Sequence, residues 1–281
     1  MLFIKMETAL RFGPAGMPLA LKGKKLPEGI SYLSKHNLNA MEVQFTRGVR
    51  IRKEDAIEAE KVAREKNILL SCHAPYWINC CSPSKEKQVI SDRNIMQSLR
   101  AAKLLGAYII VIHVGFYQNL TKEQAFDNAY SFLKTITEKM KQEKIGVVLG
   151  LETTGKPSQF GSLDEILLMC KKLGKMVKPV IDFAHLHARE NGKIKGKEDY
   201  EEVINKIKKS NPLLLTQMHC HFSEIEYTEK GERYHLVLGT KNSPPFKPLA
   251  ELIKSKSYKF TIISESPELD RDALKMQSMC K

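Results

Sequence analysis

Histidines are the first chemistry this sequence offers. His73, His113, His185, His187, His219, His221 and His235 each stand at, or just past, the end of an apolar run that reads as a strand; His36 falls on a helical pattern, where it reads as a surface residue. A single histidine so placed is most often a hydrogen-bonded structural residue. Seven of them ending several different strands would converge, and converging imidazoles repel if charged. A metal accounts for both their neutrality and their number. Carboxylates occupy the same positions: Glu152 after Gly146 to Leu151, Asp182 after Val180-Ile181, and Glu265 after Phe260 to Ser264. An acid directly after a buried strand is costly without a partner, and a cation supplies one. The competing reading is ion pairing to Lys or Arg, but these segments carry few basic residues beside the acids. Mixed imidazole and carboxylate ligands suit zinc, manganese or iron more than magnesium or calcium. The candidates exceed one tetrahedral site and point to two or three metals sharing bridging carboxylates. Metal pairs ~3.5–4 Å apart are typical of phosphoester hydrolysis.

These residues need elements to hold them. Apolar, β-branched runs recur near 2–7, 39–45, 67–72, 107–114, 145–151, 177–183, 213–222 and 259–264. Helical patterns near 27–36, 53–66, 85–105, 121–142, 162–173, 198–209, 246–256 and 267–278 lie between or after them. In 53–66 the apolar Ala56, Ile57, Ala59, Val62 and Ala63 share one face at 3.6 periodicity. Thr121 reads as an N-cap whose capping box is closed by Gln124. Eight alternating units over this length predict a single (β/α)8 TIM barrel spanning 1–281, α/β in class, with a metal site at the C-terminal strand ends. A doubly wound sheet would usually carry a Gly-rich turn after its first strand. Gly13-Pro14-Ala15-Gly16 reads as a loop and lacks that spacing.

The 281 residues are long for one domain but within the reach of α/β barrels, and 42% hydrophobic with 27% charged residues excludes a wholly disordered chain. The net charge of +13 suits a polyanionic partner or, equally, a Lys-rich solubilising surface. No stretch approaches the ~20 apolar residues of a membrane span. The apolar run at the N-terminus breaks at once at Lys5 and Glu7, so no signal peptide is read. Six cysteines, at 72, 80, 81, 170, 220 and 280, form no paired Cys-x-x-Cys zinc pattern. A reducing, cytoplasmic setting is the expectation.

Five segments, in order, carry a family resemblance: Ser71 to Asn79 (SCHAPYWIN), Val111 to Gly115 (VIHVG), Glu152 to Gly155 (ETTG), Asp182 to His185 (DFAH) and Ser264 to Pro267 (SESP). The chain resembles endonuclease IV, the zinc-dependent apurinic/apyrimidinic endonucleases, through most of its length at motif level. It looks like a divergent branch, an archaeal one being an option. Two places depart from the family pattern. After the seventh strand the family has His-x-Asn-Asp, and here stands His219-Cys220-His221-Phe222-Ser223-Glu224. His221 is the preferred match, with His219, on the same face at period two, still open. The family's Asp-Arg-His falls on Gly231-Glu232-Arg233-Tyr234-His235. His235 fits, but strict register puts Arg233 at the Asp position; Glu232 could replace it through a local bulge.

What the resemblance implies is a metal-dependent enzyme hydrolysing the phosphodiester 5′ to abasic sites in double-stranded DNA during base excision repair. His73 and His113 would hold one zinc, with Glu152 bridging to a second held by Asp182, His221 and Glu265. His185 and His235, with Glu232, would hold a third; manganese is an alternative at one site. A hydroxide between metals would attack phosphorus, with Glu152 and Glu265 as the catalytic carboxylates. Arg50, Tyr76 and Trp77 stand where the family reads DNA, and Lys156 and Arg189 are further phosphate candidates. A monomer without membrane attachment is expected. The alternatives are a metal-dependent sugar isomerase or epimerase on the same barrel, and a nucleic-acid-binding barrel without catalysis. The extra histidines and the net charge distinguish the first reading from the sugar enzyme.

Overall fold

The computed structural model describes residues 9–281. Eight parallel strands run in one sheet: β1 Arg11–Pro14, β2 Ala40–Gln44, β3 Leu69–His73, β4 Ile109–Ile112, β5 Val148–Glu152, β6 Val177–Asp182, β7 His219–Phe222 and β8 Thr261–Ser264. Each neighbours the next in sequence, and β1 pairs with β8 from Arg11↔Thr261 to Pro14↔Ser264. A bridge between Ala15 and Glu42 brings β1 to β2 and all but closes the barrel. This is the TIM-barrel architecture expected from the alternation of elements.

The first described strand forms where the sequence reading placed a loop. The apolar run at 2–7 lies outside the described residues, and β1 includes Gly13 and Pro14, which the sequence reading assigned to a loop. Both residues are rare in strands, and both are tolerated here for a geometric reason. A Cβ on Gly13 would fall 1.8 Å from the carbonyl oxygen of Ala40, so glycine permits the close approach of β1 to β2. The amides of Arg11 and Ala15 donate to β8 at 2.8 and 2.9 Å, whereas that of Phe12 turns the other way, to Asn39 Oδ1 at 2.8 Å. Pro14 shares the phase of Phe12, so its missing N–H removes no bond to β8.

The helices are α1 Leu26–Lys35, α2 Lys53–Glu65, α3 Lys85–Leu104, α4 Lys122–Gln142, α5 Leu163–Leu173, α6 Phe183–Arg189, α7 Lys197–Ser210, α8 Phe246–Lys256 and α9 Leu269–Met279. All eight predicted helical segments form. At α4 the Gln124 amide donates to Thr121 Oγ1 (3.2 Å) and the Thr121 amide to Gln124 Oε1 (3.0 Å), closing the capping box. The short α6 was not anticipated. It starts directly at the end of β6, capped by Asp182, whose Oδ1 accepts from the His185 amide at 2.6 Å. An antiparallel hairpin, Glu224–Thr228 with Gly231–Leu236, and a short antiparallel pair between two distant loops, Gly115–Phe116 with Gln159–Phe160, were also missed.

Side chains alternate along each strand, so every second residue faces the barrel axis. Low in the barrel Ile109, Val111 and Val180 pack together. Above them the inward positions turn polar: Glu42, Ser71, His73, Glu152, Asp182, His219 and His221, all buried. Outward positions and the helices' inner faces form the main hydrophobic core. Among the described residues no helix is long and apolar enough to cross a membrane.

Candidate metal centre

The inward polar positions meet at the C-terminal mouth. Glu152, last residue of β5 and fully buried, is the hub. Its Oε2 lies 3.1 Å from His73 Nε2 and 2.9 Å from His113 Nε2. Its Oε1 lies 2.8 Å from His221 Nδ1 and 3.5 Å from His185 Nδ1. Glu265, just past β8, brings Oε1 to 3.4 Å from His221 Nδ1 and Oε2 to 3.8 Å from His235 Nε2. His185 Nε2 is 3.1 Å from Glu232 Oε2.

Three overlapping donor groups result, each with ligand atoms mutually within 4.8 Å: His73, His113 and Glu152; Glu152, Asp182, His185 and Glu265; and His185, His235 and Glu265. With His221 beside Glu152 and Glu232 beside His185, the structure brings together all nine expected ligands; a further group, Glu42, His219 and His221, lies one layer below. His235 reaches the cluster from a hairpin arm rather than a barrel strand end, and His185 from the first turn of α6.

The hairpin also resolves the register of Glu232 and Arg233. Glu226 pairs with Tyr234 and Tyr227 with Glu232, so Arg233 is the extra residue of a bulge. Glu232 therefore turns inward and Arg233 is exposed. Gly155 makes room: a Cβ there would sit 2.1 Å from Glu232 Oε2.

Burial penalises these charges, and the neighbours decide the outcome. Burial would raise Glu152, but the imidazoles of His221 and His113 hold it well below the usual carboxylate range. Glu265 is pushed up to about 8, mainly by burial; His221 pulls it down while Glu152 and Asp182 push it further up. Burial lowers His73 and His185, yet Glu152 raises the former to about 9 and Asp182 with Glu232 raise the latter well above the imidazole range. The carboxylates thus demand positive charge, from imidazole protons or from a cation that displaces them.

The donor geometry fits a cation. In His73, His185 and His235 one ring nitrogen is already engaged: Nδ1 lies 2.8 Å from Ala74 O, 3.0 Å from Thr153 O and 2.6 Å from Ser223 Oγ respectively. The other nitrogen of each aims at carboxylate oxygens. An outer partner on one nitrogen and a free lone pair on the other is the usual state of a metal-ligating histidine. Asp182 Oδ2 is buried in the cluster without a hydrogen-bond partner among the described residues.

Two histidines serve other ends. His187 Nε2 bonds Ser243 Oγ at 2.7 Å, away from the cluster. His219 sits one layer deeper than His221, 3.0 Å from Glu42 Oε2. Glu42 is the buried residue that sequence reasoning missed. It stands mid-strand in Ala40-Met41-Glu42-Val43-Gln44, and an acid inside an apolar run carries the same signal as one after it. Burial would raise it, but His221 and His219 hold it well below the usual range.

A cleft of about 400 Å³ opens above the cluster, and Gln44 and Thr46 also line a neighbouring one of about 530 Å³ that runs past Arg47, Arg50, Lys24 and Lys25. On the rim Arg50 is exposed, Tyr76 is 60% exposed and Trp77 is 70% exposed. Lys156 stays half-buried, 3.8 Å from Glu232. Arg189, a candidate for phosphate contact, is instead occupied internally. Its guanidinium donates to the carbonyls of Lys156 (2.6 Å) and Gln159 (3.0 Å), clamping the loop after β5.

Residues 30–279 match the family model described as xylose isomerase-like TIM barrel. An uncharacterised protein of Methanocaldococcus jannaschii is 33% identical over 271 residues, 95% of this chain and 96% of that one. A probable endonuclease 4 of Mycoplasma pneumoniae is 28% identical over 139 residues; the match covers 48% of this chain and about half of that protein (47%). Among solved structures, a D-tagatose 3-epimerase-like protein superposes with a TM-score of 0.71 at 20% identity, covering 96% of this chain and 95% of that one. Endonuclease IV from Thermus thermophilus does so with 0.69 at 17%, covering 96% and 98%. At such identities the two likenesses speak for the fold alone.

Proposed function

This chain belongs to the xylose isomerase-like TIM barrel family, and on that premise we propose that it is a metal-dependent endonuclease acting on abasic sites in double-stranded DNA. The observation that carries the reading is the shared carboxylate of Glu152. One oxygen faces His73 and His113, the other faces His221, and the donor set continues through His185 to Glu232 and His235. That is more than one ion can use. The partial likeness to a probable endonuclease 4 supports the same reading.

The resemblance to endonuclease IV implies zinc, at two or three sites with manganese an alternative at one, and the imidazole-rich donor set suits it. Such ions polarise a phosphoryl oxygen, generate the nucleophile at neutral pH and stabilise the leaving oxygen. Glu152, Asp182, His221 and Glu265 would fix one side of the scissile phosphate. His185, His235 and Glu232 would fix the side on which the sugar oxygen departs. Glu265 reaches both His221 and His235, which supports a role in orienting the attacking oxygen. The exposed Arg47 and Arg50 give the DNA backbone a basic track beside the cleft, which makes binding salt-dependent.

Tyr76 and Trp77 would fill the space left by a displaced nucleotide. Stacking on an aromatic contributes about 1–3 kcal/mol per base. Trp77→Ala should therefore weaken binding to an abasic duplex by roughly tenfold or more and leave intact duplex within about twofold, read by fluorescence anisotropy. Equal losses on both duplexes would reduce Trp77 to a rim residue.

A second reading has one observation of its own. Glu152, Asp182, His185 and Glu265 could hold a single cation by themselves, as a sugar epimerase on this barrel would need. An incision assay on a labelled abasic duplex decides between them. The expected product is a nick 5′ to the lesion with a 3′-hydroxyl. No incision by the zinc-loaded chain, together with epimerisation of a ketose, would replace the first reading with the second.

A further inference from the structure

Below the proposed metal centre lies a second polar layer, which the expected ligands touch only through His221. Glu42 receives four donors there. Ser71 Oγ lies 3.0 Å from Oε2 and Gln44 Nε2 3.0 Å from Oε1. His219 Nε2 lies 3.0 Å from Oε2, and His221 Nε2 lies 3.2 Å from Oε1. At the far side of His219, the Tyr108 hydroxyl is 2.5 Å from Nδ1. Glu42, His219 and His221 are at most 2% exposed. An ionised carboxylate accepts and cannot donate, so both imidazoles turn an Nε2–H toward it, and Tyr108 donates to the remaining lone pair of His219. Each hydrogen bond in the row fixes the polarity of the next.

His221 is where this row ends. With Nε2–H committed to Glu42, Nδ1 is the nitrogen left to face Glu152 Oε1 at 2.8 Å and Glu265 Oε1 at 3.4 Å, through a proton or, once that proton is displaced, through a lone pair. Lone pair facing carboxylate is repulsive unless a positive charge lies between them. Resting on the metal-centre reading above, we infer that Tyr108, His219 and Glu42 form a buried positioning chain. It holds His221 in the tautomer that ligates through Nδ1, and so sets the affinity of the ion shared by Glu152, Asp182 and Glu265. Glu42 is a positioning residue: it acts through His221 and does not reach the mouth of the barrel. The layer leaves no need for a separate cation at Glu42, because its oxygens are already supplied with donors.

Outer partners of this kind typically affect metal affinity by about 10–100-fold. In the full chain, Glu42→Gln keeps the volume and one acceptor but replaces the other oxygen by a donor. Zinc titration in competition with a chromophoric chelator should show one ion bound about 10–100-fold more weakly, with the remaining zinc held as in the parent. Histidine-labelled, zinc-loaded parent should show His221 protonated at Nε2 and not at Nδ1 in long-range proton–nitrogen spectra, assigned against His221→Gln. Parent-like zinc affinity in folded Glu42→Gln, or a His221 with Nε2 unprotonated, overturns the proposal. If Glu42→Gln does not fold, Tyr108→Phe decides. It removes only the terminal hydroxyl and should weaken the same ion several-fold, whereas parent-like affinity overturns the chain. A parent that binds no zinc also overturns it, whatever DNA does. A parent that binds zinc but leaves abasic DNA intact refutes the nuclease reading and not this one.

Discussion

Glu152→Gln is expected to lower kcat/KM for abasic-site incision by about 10³-fold or more while the barrel stays folded. Both carboxylate oxygens are in use: Oε2 within 3.1 Å of His73 and His113, Oε1 at 2.8 Å from His221. An amide keeps one oxygen and turns an N–H₂ toward the other set of imidazoles, so it cannot bridge. Metal polarisation of a phosphoryl group contributes several kcal/mol to the transition state, and about 4 kcal/mol corresponds to roughly 10³-fold. The variant retains the volume of the side chain at the end of β5, and the hydrophobic layers above which it sits are untouched. Circular dichroism should therefore match the parent, while metal analysis should show at least one ion fewer. Parent-like kcat/KM in that variant would remove Glu152 from the reaction and with it the bridge on which the proposed function rests.

The residues that carry this prediction were legible in the sequence because their signal is local. An acid at the end of an apolar run, such as Glu152 or Asp182, is visible without knowing what lies across the barrel. So was the alternation that made the barrel. Glu42 was harder, since its partners His219 and His221 lie about 180 residues away in the chain and, unlike Glu152, it interrupts its apolar run at 39–45 instead of ending it. The bulge that exchanges Glu232 for Arg233 depends on how two hairpin arms pair, and on the space Gly155 leaves for them. No periodicity announces such a bulge. β1 reads as a loop for the opposite reason: Gly13 and Pro14 are loop residues by propensity, and only the approach of Ala40 to Gly13 shows why a strand tolerates them. Arg189 shows the limit of charge as a guide. A basic residue near the site looks like a phosphate contact until its guanidinium is seen occupied by the backbone of the loop after β5.

Removal of metal is expected to have the other large effect, on activity and stability together. Exhaustive chelation should take incision to background, and zinc or manganese should restore it where magnesium does not. The reason is the donor set: five imidazoles, His73, His113, His185, His221 and His235, surround carboxylates, and nitrogen-rich sites disfavour the hard cations. The same treatment should lower thermal stability. An ion held at 1,000 times its Kd stabilises the folded state by about 4 kcal/mol. For a chain of this size that is worth about 8 °C in Tm for each such ion. The loss falls at the barrel mouth, where the buried Glu152 and Asp182 and the partly buried Glu265 must then find positive charge in imidazole protons alone. Glu265, already pushed up to about 8 by burial with Glu152 and Asp182 beside it, marks where that charge is shortest. Differential scanning calorimetry with and without chelator, with metal content measured on the same samples, reads both effects. Incision that persists once metal analysis finds none left would end the metal mechanism. A Tm unmoved by complete removal would show that the cluster balances its charges with protons, and that zinc is not part of what holds the mouth of the barrel together.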